Sequence, residues 1–147
     1  MERNNMGLGI KEFYTGKTIF LTGATGFVGK VVLEKIIRSL GNYKKLFVMV
    51  RAKKNMSVRD RFEKSILSAE LFDPLFAKDP ILFQTLREKV MPIAGDLIID
   101  NLGMSVEDRA MVTSQVDIII NCAASVNFDD PLLDAIEINY FGCLRML

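Results

Sequence analysis

Residues 22–29 read Thr22-Gly23-Ala24-Thr25-Gly26-Phe27-Val28-Gly29, set between the apolar run KTIFL (17–21) and the run KVVLEKIIRSL (30–40). The first run is short and continuously apolar, as a buried strand is. After the turn the pattern changes: Val28, Val31, Val32, Ile36 and Leu40 recur at helical spacing, with Gly41 as the expected stop. A helix N-terminus presents unpaired backbone N–H groups and the positive end of the helix dipole, so an anion is stabilised there. Gly23, Gly26 and Gly29 can supply a tight turn, close approach to a pyrophosphate and room for helix to pack on strand. The spacing is G-x-x-G-x-x-G, one residue longer in its first gap than G-x-G-x-x-G, and the strand–turn–helix setting is what gives it weight. No Gly-Lys-Ser/Thr ends the motif, which excludes a Walker loop.

Working outward, three more apolar runs read as strands: KKLFVMVR (44–51), VMPIAGDL (90–97) and VDIIINCAA (116–124). Between them SVRDRFEKSILSAELF (57–72) reads as an amphipathic helix capped by Ser57, with Phe62, Ile66 and Leu67 on one side. DPLFAKDP (73–80) reads as a turn-rich break and ILFQTLREK (81–89) as a short helix. Ser105 and Asp108 approach a capping box, and the chain reads as helical from about Pro131 onward. Continuous apolar strands that alternate with helices predict an α/β fold, a Rossmann-like doubly wound parallel sheet. About four strands in the order 3-2-1-4 are expected, with helices on both faces. Residues 1–15 are expected to be a loose leader, and 16–147 a dinucleotide-binding domain incomplete at its C-terminus.

Composition narrows the chemistry. A chain of 147 residues is one domain's worth. Lys+Arg 19 against Asp+Glu 18 leaves no global field, so no nucleic-acid partner is expected. No window approaches the roughly 18 apolar residues of a membrane span, and the N-terminus lacks a signal-peptide core, so an intracellular chain is expected. Cys122 and Cys143 have no metal-like spacing and read as buried reduced thiols. Histidine is absent, so proton chemistry must use Tyr, Lys, Asp, Glu or a hydroxyl.

The strand ends carry the remaining signals. The second strand ends in Arg51, followed by Lys53 and Lys54, with no carboxylate to meet ribose hydroxyls. A guanidinium there suits a 2′-phosphate, which favours NADP(H) over NAD(H), although the lysines also fit a solvated loop. Asp96 could reach an adenine amino group or serve only as a turn aspartate. The small Ala123 and Ala124 could let a flat ligand lie against the backbone, or could be small core residues.

TGATGFVGK, VRAKK, GDL followed by NLGMSVEDR, and NCAASVNFDDPLLDAIEINYFGCLRML together resemble the fatty acyl-CoA reductases. These belong to the thioester-reductase branch of the extended short-chain dehydrogenase/reductases. The resemblance runs from about Phe13 to Leu147, and CAASVNFDDPLLDAIEINYFG and the insert SILSAELFDPLF are its narrowest parts. It implies NADPH as cofactor and a long-chain fatty acyl-CoA as substrate, reduced to an aldehyde and then a primary alcohol. It implies that Thr22, Gly23, Thr25, Gly26, Phe27, Val28 and Gly29 hold the pyrophosphate and Arg51 the 2′-phosphate. Asp96 and Leu97 would flank the adenine, and Ala123 and Ala124 the nicotinamide ribose. Asn139 would support a catalytic lysine through water. The family also suggests association with a peroxisomal or endoplasmic reticulum membrane.

The family's proton-donating pair, Tyr-x-x-x-Lys, has no match here: Tyr14, Tyr43 and Tyr140 are followed at the fourth position by Thr18, Phe47 and Leu144. Alternatives are therefore an inactive NADP(H)-binding fragment, or the thioester-reductase domain of another enzyme of the branch. A long apolar fourth strand at a sheet edge is expected to invite self-association.

Overall fold

The computed structural model describes residues 9–147. In chain order the regular elements are α1 (Ile10–Tyr14), β1 (Thr18–Thr22), α2 (Phe27–Ser39), β2 (Lys45–Val50), α3 (Val58–Phe62), α4 (Asp73–Lys78), α5 (Leu82–Lys89), β3 (Val90–Ala94), α6 (Val106–Gln115), β4 (Ile118–Asn121), α7 (Leu132–Ile136) and α8 (Gly142–Leu144). The four strands form one parallel sheet in the order β3-β2-β1-β4. That is the expected Rossmann-like arrangement.

The two-residue period of each strand sorts its side chains onto two cores. Ile19, Leu21, Leu46, Val48 and Val50 face one side, where Leu33, Ile36 and Ile37 of α2 and Phe62, Ile66, Phe72 and Leu86 cover them. Phe20, Phe47, Met49 and Ile93 face the other, against Leu97, Leu102 and the apolar side of α6. Every residue of β1 is buried, as a strand with neighbours on both edges and both faces must be. The crossovers change face between β1 and β4, and an open α/β sheet binds its ligand in the crevice at that switch.

Several local expectations need correction. Within the proposed leader, Ile10–Tyr14 form a helix whose Tyr14 packs on the core, and residues 1–8 lie outside the described residues. The segment 57–72 is no single helix. It passes from α3 into a π-helical turn at Glu63–Leu67 and a 3-10 turn at Glu70–Phe72, while still burying Phe62, Ile66 and Leu67. DPLFAK is α4 and not a break, because Pro74 occupies the first turn, where a missing N–H costs no helical bond. The strands are also shorter than their apolar runs: β3 stops at Ala94 and β4 at Asn121, where the chain bends toward the crevice. Cys143 is exposed and Cys122 only partly covered, so neither is the buried thiol expected.

Candidate dinucleotide site

Gly23 leaves β1 with φ +73, a left-handed conformation that side chains disfavour. A Cβ at Gly23 would stand 2.5 Å from the Ala123 nitrogen, so the turn lies directly on the backbone that leaves β4. The Gly26 N–H donates to the Gly23 carbonyl at 2.9 Å and closes the turn. Gly26 is the N-cap of α2, and its carbonyl accepts the Lys30 N–H. The N–H groups of Phe27, Val28 and Gly29 therefore belong to the open first turn of a thirteen-residue helix. A Cβ at Gly29 would meet the Gly23 carbonyl oxygen at 2.1 Å, so only glycine lets helix and turn approach this closely. Phe27 and Val28 point their side chains to solvent, and what they offer a ligand is backbone.

Gly23, Thr25, Gly26, Arg51, Leu97, Ala123 and Ala124 line one cavity of about 210 Å³ at the switch point. Three elements converge there: the glycine turn, the ends of β2 and β3, and the end of β4. Ile98, Cys122 and Ile138 line it as well. Sequence reasoning missed these three, although each is the immediate neighbour of a residue it named. Burial pushes the Cys122 thiol pKa up. A larger groove, of about 640 Å³, lies between α1, α2 and Ile120 of β4. It is mainly apolar, with Lys11, Tyr14, Lys35 and Ser39 among its lining.

The remaining candidates lie outside the lining of this cavity. Thr22 is fully buried and its hydroxyl donates to Asn121 Oδ1, so the side chain ties β1 to β4 and is not free for a phosphate. Asp96 pairs with Arg51, with 3.2 Å between Oδ2 and Nε. Asn139 lies in a π-helical turn at Glu137–Phe141, and its amide clamps a single residue. Oδ1 accepts the Ser125 N–H at 2.8 Å and Nδ2 donates to the Ser125 carbonyl at 2.9 Å. Both ends of that amide are thus used to hold the segment after Ala123 and Ala124 against the helix. Arg145 fixes the opposite wall by donating from Nη1 to the Leu97 carbonyl at 3.0 Å. Its hydrogen bond to Glu137 raises the guanidinium pKa further.

Whether a dinucleotide fits is decided by the cradle. Side chains at Gly23 and Gly29 would collide with backbone, the helix N-terminus opens onto the cavity, and an exposed cation stands at its rim. These features suit an anionic, phosphate-bearing ligand.

Comparison with known proteins agrees. The family profile described as "Male sterility protein", an NAD-binding domain, matches residues 21–147. Fatty acyl-CoA reductase 1 of Mus musculus is 39% identical over 138 residues, which is 94% of this chain and 26% of the relative. Fatty acyl-CoA reductase 1 of Xenopus laevis is 41% identical over 140 residues, 95% of this chain and 26% of that protein. The Arabidopsis thaliana protein of the same name is 40% identical over 139 residues, 92% of this chain and 28% of that protein. The chain thus spans about a quarter of the length of the curated relatives it matches. Among solved structures, the terminal R domain from the myxalamid PKS-NRPS biosynthetic pathway superposes with a TM-score of 0.71 at 27% identity, covering 90% of this chain and 31% of that one. A thiolation-reductase di-domain from an archaeal non-ribosomal peptide synthetase gives 0.64 at 26% identity, covering 89% and 25%. With its glycine cradle, its switch-point cavity and a family match over residues 21–147, the chain belongs to the male sterility protein family of NAD-binding domains, the family of the fatty acyl-CoA reductases.

Proposed function

We propose that this chain is the NADPH-holding part of a reductase that converts long-chain fatty acyl-CoA to fatty alcohol. One observation carries the reading: the glycine turn, Arg51 and the Ala123–Ala124 segment line a single cavity. The chemistry that NADPH supplies at such a place is hydride donation, first to a thioester carbonyl and then to the aldehyde. This chain's residues bind and orient. The turn and the first N–H groups of α2 hold the diphosphate, Arg51 meets the 2′-phosphate, and the small Ala123 and Ala124 let the nicotinamide ribose lie on the backbone. None of the three tyrosines has a lysine four positions on, so binding without turnover is the expectation for these 147 residues alone.

Titration calorimetry tests the reading. NADPH is expected to bind at least tenfold tighter than NADH, the scale of one charge-assisted pair. No heat, or equal affinities, would refute it. Formation of alcohol from acyl-CoA and NADPH by the isolated chain would refute the expectation of binding without turnover.

Two further proposals follow from the family and the sheet. The whole protein works inside the cell at a peroxisomal or endoplasmic reticulum membrane, although no helix among the described residues is long and apolar enough to cross one. The open edge of β4 pairs with a second copy when the chain is concentrated, which light scattering would detect.

A further inference from the structure

Arg51 and Asp96 leave adjacent strands on the rim of the cavity. β2 and β3 run parallel with Val50 opposite Ala94, and the Gly95 N–H continues the ladder to the Val50 carbonyl at 3.2 Å. The residues that follow therefore meet, with Arg51 Nε 3.2 Å from Asp96 Oδ2. The two partners are held very differently. The Asp96 side chain is 15% exposed and that of Arg51 is 64% exposed. The Asp96 N–H donates to the Leu102 carbonyl at 2.7 Å, and its Oδ1 accepts the Ile98 N–H at 3.3 Å. Asp96 is the anchored member, and Arg51 is the exposed cation that it holds.

We propose that Asp96 is a positioning residue that determines cofactor specificity by setting the direction of the Arg51 fork. This rests on the reading of the cavity as an NADP(H) site. A guanidinium offers its N–H donors in a rigid plane, so engaging Nε leaves the terminal edge to be aimed elsewhere. Held from the Asp96 side, that edge turns toward the cavity, where a 2′-phosphate would accept two parallel bonds. A free long side chain would have to be ordered at the moment of binding, and preorganisation removes that cost. The 2′-hydroxyl of NAD(H) has no charge for the fork to meet. Asp96 therefore acts on one dinucleotide and not on the other. If Asp96 instead met the adenine, its removal would weaken both equally, because both cofactors carry the same base. Oδ2 faces Arg51 while Oδ1 accepts the Ile98 N–H, so the carboxylate is held in the direction of the guanidinium.

Calorimetry of the chain with NADPH and with NADH, across the wild type and four variants, decides between these. Asp96→Asn keeps the oxygen that accepts from Ile98 and removes the charge that holds Arg51. It is expected to lower NADPH affinity about tenfold, the effect of losing one oriented charged contact, and to leave NADH within about twofold. In an Arg51→Ala background the same change is expected to alter neither affinity. Arg51→Lys, with Asp96 intact, is expected to lower the NADPH:NADH ratio too, because an ammonium cannot be held at one edge and fork with the other. Circular dichroism confirms that each variant is folded; should Asp96→Asn unfold, Asp96→Ser, which also removes the charge, takes its place with the same expected outcome. A wild type that prefers NADPH with a ratio lowered by Arg51→Lys but unmoved by Asp96→Asn overturns the positioning role alone. So does an Asp96→Asn variant that binds NADPH tighter or weakens both cofactors equally. A wild type without preference overturns the NADP(H) reading itself.

Discussion

The sheet has two edges, and they are made differently. At β3, the period set by the Gly95 N–H bonding to β2 turns the Pro92 nitrogen outward, where a proline has no donor to offer another strand. The Arg59 guanidinium also takes the Val90 carbonyl at 3.2 Å. At β4, the Asp117 N–H donates to the Thr18 carbonyl, so the polar groups of Ile118 and Ile120 point away from β1, on the side where no further strand pairs among the described residues. No proline or charge interrupts that strand, and Ile119 is 45% exposed. The first edge is blunted against pairing and the second is suited to it. Burial follows the same division: β1 and β2 are almost wholly buried, while β4 completes the site with its residues only partly covered.

The largest expected contrast lies in the core. Phe20, at the middle of β1, is 1% exposed, and Phe20→Ala is expected to cost about 3–5 kcal/mol in chemical denaturation. Ile119→Ala on β4 is expected to cost less than about 1 kcal/mol. Equal losses would break the comparison. Next comes association: Ile119→Lys places a charge on the open edge and is expected to reduce concentration-dependent self-association in light scattering, whereas Pro92→Val would create a second edge and increase it. No change with either variant would mean that the edges are not what governs association.

Two pH effects sharpen the contrast further. Asp117 accepts the Thr18 N–H at 2.8 Å, and this bond, more than nearby Lys17, holds its pKa below the ordinary value. The unfolded chain therefore binds a proton first as pH falls, so this contribution is present above about pH 4 and is lost as pH drops through the folded-state pKa. Asp117→Ala is expected to lower the thermal midpoint at neutral pH and to have no effect in strong acid. Tyr43, on the closed side, is 4% exposed, and burial pushes its phenol pKa up to about 12. Its unfolded counterpart ionises near pH 10, so stability is expected to fall as pH rises from about 10 to 12. Tyr43→Phe should remove that alkaline slope and the latest-appearing phenolate absorbance.

How far the sequence could be read follows from the range of the interactions. The strands and the glycine turn were legible because each is a local pattern, a run of apolar residues or a glycine at a fixed spacing, and the strand order came with the fold class they define. α4 was misread because Asp73 and Pro74 were counted as turn residues, although the same pair opens a helix. The Arg51–Asp96 pair was illegible because it depends on the register of two strands. Asn139 was noted for its motif, but its clamp on Ser125 depends on where the π-helical turn sits, which no spacing reveals. Leu102 carries no such signal at all. It is buried with φ 58, between Asn101 at φ 56 and Gly103 at φ 59, and its carbonyl holds Asp96 in place. A bulky residue rarely adopts that conformation, and here it is the surrounding packing that imposes it.

The closure between Thr22 and Asn121 spans 99 positions of chain. As the polypeptide leaves the ribosome, β1, β2 and β3 and the helices between them can pair long before β4 exists. The glycine turn is then made but has no floor, because Cys122 and Ala123 have yet to arrive beneath Gly23. Contacts of such separation form late and slowly. The cleft therefore cannot close before β4 has emerged, and nucleotide capture must wait for it.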